Sequence, residues 1–348
     1  MNRFLYTVFF CAAALLVLST GAVAETLSSE PEPSACRYVQ AGPAGLRGNK
    51  LLIDGTPNQI TLRREGEAIL VVFRHTGTES VLECEGPQAT VRNIDRVVYL
   101  PPYELHVAHQ LTLDESGGLL QPGATPEPGG DEIEVVAKFP KEPPHKWSDI
   151  FVVGTAGNDW IRIGALRGGW TGVNLERTRD GAHADADLIV SAARRGHFQL
   201  DGGPGEDRLA ASGIGSEFVG PMIQGSLSLR GKGGNDVMLG GPQHDHARGG
   251  AGKDLIYGRG GDDSLEGEEG DDRLYGGPGE DQIGAGRDIA EPFYDFLSGG
   301  PGHDALHSID GNRDKVLCGA GRDQAYVDGV DEWSRATCEK QHGPDFPR

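Results

Sequence analysis

Six aspartates, Asp236, Asp245, Asp254, Asp263, Asp272 and Asp281, stand nine residues apart without a break. Each belongs to a segment of the form Gly-Gly-x-Gly-x-Asp-x-U-x, where U is a large apolar residue, as in Gly249-Gly250-Ala251-Gly252-Lys253-Asp254-Leu255-Ile256-Tyr257. A fixed short period sets their anionic oxygens in register, and the glycines let backbone carbonyls curl toward the same point. Such a donor set suits a hard cation. Ca²⁺ accepts about six to eight oxygens at roughly 2.3–2.6 Å and tolerates backbone carbonyls among them.

The elements that must hold these carboxylates follow from the period, which marks a solenoid. Each nonamer reads as a six-residue turn and a three-residue strand. Side chains alternate along a strand, so only position eight faces inward: Met238, Ala247, Ile256, Leu265, Leu274 and Ile283. Glycines at positions one, two and four are expected at positive φ. Two nonamers make one turn of the solenoid, which places Asp236, Asp254 and Asp272 on one edge and Asp245, Asp263 and Asp281 on the other. Ions shared between successive loops then occupy four complete sites. Ordering nine residues costs ~9–18 kcal/mol of backbone entropy, whereas one buried side chain returns only ~1.5–3 kcal/mol. Residues 231–284 also carry twelve Asp/Glu against five Lys/Arg, and neighbouring carboxylates repel. Folding coupled to calcium is the expectation. Gln243 replaces the position-four glycine and Ala247 is the smallest inward residue, so the Asp245/Asp263 site is predicted to be the weakest.

At these repeats the chain resembles RTX, or haemolysin-type, calcium-binding proteins. The resemblance implies an all-β parallel β-roll, with the six aspartates and loop carbonyls as ligands. Asp207 and Asp304 sit in matching motifs without uninterrupted neighbours, and Asp159 and Asp323 in poorer copies. The segment Ala89-Thr90-Val91-Arg92-Asn93-Ile94-Asp95-Arg96-Val97 is similar to the N-terminal part of secreted bacterial calcium-binding proteins, which implies a degenerate continuation of the solenoid. RTX toxins and proteases leave by an exporter that reads a C-terminal signal. This chain instead opens with a Sec-like signal and lacks a long apolar pore-forming region, which argues against cytolysis.

The whole chain fits that picture. Its 348 residues carry a formal charge of -20, which excludes a nucleic-acid partner in need of a basic patch and favours cations. Residues 1–24 read as a cleaved signal peptide, with Arg3, an apolar run from Phe4 to Leu18 and Ala22-Val23-Ala24. The mature chain is then secreted and has no membrane span. It keeps Cys36, Cys84, Cys318 and Cys338, for which three pairings are possible; sequence order favours Cys36–Cys84 and Cys318–Cys338. The second pair is separated by close to one solenoid turn and would tie the last turn to the one before. Domain boundaries are expected at 25–150 (β-rich), 151–230 (degenerate repeats), 231–284 (regular array) and 285–340 (interrupted repeats with a disulfide cap).

No zinc-protease helix, nucleophile elbow or phosphate loop is present in the sequence. His106 with His109, His244-Asp245-His246, the row His183, Asp185 and Asp187, and the tryptophans Trp147, Trp160 and Trp170 each read more simply as surface groups than as sites. A non-catalytic calcium-binding scaffold is expected, structural or adhesive, with a cell-surface or matrix component as partner. The alternatives are an extracellular hydrolase or polysaccharide-modifying enzyme with its site in 36–200, and an adhesin that recognises its partner through residues 285–298.

Overall fold

The computed structural model describes residues 36–40, 49–54, 59–75, 78–90, 92, 96–100, 109–117, 134–137, 148–166, 170–176, 188–190, 196–211, 218–221, 225–286, 293–334 and 337–342. The signal segment, His106, Trp147, His183, Asp185 and Asp187 lie outside them. All regular structure among the described residues is β.

The strands form two sheets, of fifteen and thirteen strands, and the chain alternates between them. From residue 196 onward the path along the two sheets is parallel, with Phe218–Pro221 a side strand antiparallel to Trp160–Leu166: Arg208–Ala210, Val237–Leu239, Leu255–Tyr257, Arg273–Tyr275 and Phe296–Gly302 follow one another in the first sheet. In the second, Ser226–Gly233, His246–Ala251, Ser264–Glu269, Gln282–Gly284 and Ala305–Ser308 do the same. This is a β-roll. Three-residue strands suffice because each one hydrogen-bonds to a strand on either side.

Position eight fills the space between the sheets. Met238, Ile256, Leu274 and Leu297 stack in register on one side and Leu229, Ala247, Leu265 and Ile283 on the other, and all are buried. One apolar residue per nine is a thin core, so the loops must carry much of the specificity.

The strands of residues 36–153 join the same two sheets. Lys50–Asp54, Arg96–Leu100 and Glu134–Ala137 run parallel in the first sheet, and Gln59–Glu65, His109–Asp114 and Ser148–Val153 in the second. Antiparallel additions decorate this path. Ala68–His75 and Thr78–Val81 extend one end of the second sheet. Thr171–Glu176 and Leu188–Val190 are two extra strands inserted into the first. Both disulfides pair in sequence order, Cys36–Cys84 with a Cα separation of 4.6 Å and Cys318–Cys338 with 5.2 Å.

Candidate metal centre

The two-sheet path brings the position-six aspartates into two columns, one along each edge of the roll. On the first edge the backbone N–H of each aspartate donates to Oδ1 of the next. This ladder runs Asp159, Asp207, Asp236, Asp254, Asp272, Asp295, Asp314, Asp331 with distances of 2.7–3.0 Å. On the second edge Leu227 opens the ladder at 2.9 Å, followed by Asp245, Asp263, Asp281, Asp304 and Asp323 at 2.8–3.0 Å. The pairing of alternate units expected from the period is therefore the pairing observed.

Oδ1 is thus engaged, and Oδ2 is the atom left for a ligand. In Asp207, Asp236 and Asp254 on one edge, and Asp263, Asp281, Asp304 and Asp323 on the other, Oδ2 is buried and accepts no hydrogen bond among the described residues. A buried anionic oxygen without a partner is strongly destabilising unless a cation meets it. Backbone carbonyls approach the same place. A Cβ built on Gly231 would lie 2.1 Å from Asp236 Oδ2 and 2.5 Å from the Gly249 carbonyl oxygen, and one on Gly249 would meet Asp254 Oδ2 and the Gly267 oxygen at 2.2 and 2.5 Å. Carboxylate and carbonyl oxygens converging from successive turns are the hard, flexible donor set that calcium takes. The residues present fit that ion.

The geometry corrects the expectation for position one. Its glycines do not adopt positive φ. They are glycines because a side chain there would occupy the oxygen cradle. Positive φ belongs to positions two and four, as at Gly250 (116°) and Gly252 (136°). Position two is left-handed even where it is not glycine: Lys232, Arg259 and Glu268 have φ of 84°, 79° and 78°, a strain of about 1 kcal/mol or more each.

Gln243 departs from expectation in a related way. It is not among the residues with positive φ, and neither is Gly241, so the loop avoids the strain by changing shape. In its altered form the Gly241 N–H donates to Asp245 Oδ2 at 2.6 Å. Asp245 is consequently satisfied by the chain itself. Gln243 thus marks a loop of altered shape rather than a strained one.

Burial governs the protonation of these carboxylates. It pushes Asp207, Asp236 and Asp263 up to about 7, and Asp254, Asp281 and Asp304 up to about 6. The ladder N–H groups oppose the rise, and neighbouring acids, such as Asp254 beside Asp236, add to it. Protons compete for Oδ2 wherever no cation does.

Asp207 and Asp304, expected to lack neighbours, have them: Asp207 abuts Asp236, and Asp304 lies between Asp281 and Asp323. The strands that flank each insertion keep their register, Arg208–Ala210 with Val237–Leu239 and Gln282–Gly284 with Ala305–Ser308, so the break in the sequence period is not a break in the column. Asp295, Asp314 and Asp331 were missed for the same reason. The signal was there in Asp295-Phe296-Leu297-Ser298, which keeps the Asp-x-U-x ending after a five-residue insertion. Carboxylate oxygens of Asp295, Asp310 and Asp314 lie within 4.8 Å of one another. Asp159 is a variant in which the Thr155 N–H and hydroxyl both donate to its carboxylate, at 2.6 and 2.8 Å to Oδ2.

Among the described residues the other sequence candidates do not assemble. His244 Nδ1 accepts the Asp262 N–H at 2.9 Å, whereas His246 stands beside Arg248 on a strand of the second sheet. Trp160 opens its strand and Trp170 lies past the other end, where its carbonyl accepts the Leu166 N–H.

No curated protein and no solved structure matches the chain. The family model described as the RTX calcium-binding nonapeptide repeat (4 copies) matches residues 230–265 and 257–289. These are the turns in which Asp236 through Asp281 line both edges with buried carboxylates. Residues 230–289 of this chain are RTX calcium-binding repeats.

Proposed function

We propose that this protein is a secreted scaffold whose roll folds as calcium fills the two aspartate columns, with a structural or adhesive rather than catalytic role. The observation that carries the reading is the buried Oδ2 atoms of the two columns, seven of which accept no hydrogen bond among the described residues. Within 236–281 the columns frame four shared sites, Asp236/Asp254, Asp254/Asp272, Asp245/Asp263 and Asp263/Asp281, and the ladders carry the same arrangement beyond both ends. An extracellular setting supplies millimolar calcium, suited to affinities on the order of 10⁻⁴–10⁻³ M, and its oxidising conditions suit two disulfides. Calorimetric calcium titration of the signal-free chain, with circular dichroism on the same sample, tests the reading. Gain of β structure in step with several bound ions is expected. A β spectrum unchanged by chelator would falsify coupled folding.

A second reading, a hydrolase, draws on one observation. Strand register sets Asp149, His197 and Ser226 side by side on three strands, and His197 Nδ1 is 3.0 Å from Ser226 Oγ. Burial raises Asp149, and the His197 charge opposes it. Labelling by a fluorophosphonate that disappears in Ser226→Ala supports this reading; an unlabelled wild type removes it.

A further inference from the structure

One face of the roll breaks with the acidity of the chain. Register across the first sheet aligns Trp160, Arg208, Arg273, Phe296 and Lys315 in one row, with Val237 and Leu255 between the arginines. The formal charge of the chain is -20, yet from Trp160 to Lys315 the row holds three cations and no acid, and its acids, Glu176 and Glu332, stand only at the two ends. The ion pairs of the neighbouring turns, Arg248–Glu266, Lys253–Asp271 and Arg313–Glu332, use other cations.

Two of the three cations are also held in place. The Arg208 guanidinium lies 4.8 Å from the Trp160 ring centroid, and the Lys315 ammonium 5.8 Å from that of Phe296. Cation–π contact restrains both heads. At one strand spacing of ~4.8 Å, Arg208 and Arg273 stand roughly 14 Å apart, and Arg273 and Lys315 roughly 10 Å. In the adjacent row Tyr257 and Tyr275 stack with centroids 4.8 Å apart. Both are half-buried, and Tyr275 also meets Phe296 with centroids 5.4 Å apart.

We propose that this face binds an extended acidic polysaccharide lengthwise. Its carboxylates meet Arg208, Arg273 and Lys315, its C–H surfaces rest on Val237, Leu255 and Phe296, and its hydroxyls reach the tyrosine phenols. Charge complementarity selects the occupant, since a second copy of the face would oppose cation to cation. A membrane needs apolar side chains that project, and the exposed large ones among the described residues, Val81, Tyr294, Ile309 and Val330, are all outside the row. The proposal names the partner of the scaffold reading and rests on it for a roll that is folded in calcium.

The test uses the signal-free chain in calcium chloride, its fold checked by circular dichroism. Binding is measured by calorimetry to hyaluronan, to neutral dextran and to phosphatidylglycerol vesicles. Hyaluronan should bind and dextran should not. Combined Arg208→Gln, Arg273→Gln and Lys315→Gln should weaken hyaluronan binding by about tenfold or more, while Arg230→Gln on the opposite sheet leaves it unchanged. Absence of hyaluronan binding by the folded chain, equal affinity of the triple variant, or preference for the vesicles overturns the proposal. A chain without β structure in calcium overturns the scaffold reading as well, and the spectrum distinguishes the two failures.

Discussion

At the scale of single residues, each aspartate divides its work between two oxygens. Oδ1 fixes the position of the neighbouring turn, and Oδ2 of Asp207, Asp236, Asp254, Asp263, Asp281, Asp304 and Asp323 accepts no hydrogen bond among the described residues. Because burial raises these groups from 3.8 to about 6–7, the ion-free fold binds more protons than the unfolded chain between those limits. Its stability from this source is full below pH ~4 and is lost as pH rises through ~6–7. The ion-free chain should therefore be more structured at pH 4.5 than at pH 8, as read by circular dichroism in chelator. Calcium must displace those protons, so its apparent affinity should fall between pH 7.5 and 5.5. Calorimetry in buffers of different ionisation enthalpy should record proton release. Position within the column matters too. Asp254→Asn touches two sites and should lower unfolding free energy in calcium by about 1–3 kcal/mol. Asp245→Asn, whose Oδ2 is already bonded to Gly241, should cost less. Equal losses in calcium-saturated denaturant melts would refute the difference.

At the scale of the repeat, two kinds of glycine do different work. Position-two and position-four glycines turn the backbone, whereas position-one glycines keep the oxygen cradle open. Gly249→Ala would drive its methyl to 2.2 Å from Asp254 Oδ2 and 2.5 Å from a backbone carbonyl. It should destabilise by about 1–3 kcal/mol and reduce calcium stoichiometry. Gly233→Ala, at position three, meets nothing within 4 Å and should be nearly neutral. Thermal melts of the two variants in calcium check the contrast. The position-one role was not legible in the sequence, because glycine is written alike whether it serves torsion or space.

At the scale of the whole molecule, a thin core makes the ends vulnerable. Among the described residues the last turn has strand neighbours on one side only, and Cys318–Cys338 ties it back to the turn before. Chain-entropy arguments for a loop of this size give about 3 kcal/mol. Replacing both cysteines with alanine should fray Glu332–Trp333 and Lys340–His342 while 231–284 stays protected. Hydrogen exchange resolves the two regions, and loss of protection throughout would contradict local capping.

The sequence by itself determined the period, the inward face and the alternation of edges, because each follows from spacing along a chain of fixed geometry; among three possible cysteine pairings it favoured the one the fold adopts. Tertiary structure decided where interrupted units rejoin the columns. Asp295 and Asp314 take their places through hydrogen bonds to turns 23 and 19 residues away, which no fixed period reports. It also decided that Gln243 would reshape a loop and that three cations would share one face. Those outcomes depend on which atoms meet across turns, and a turn acquires its neighbours only when the roll closes.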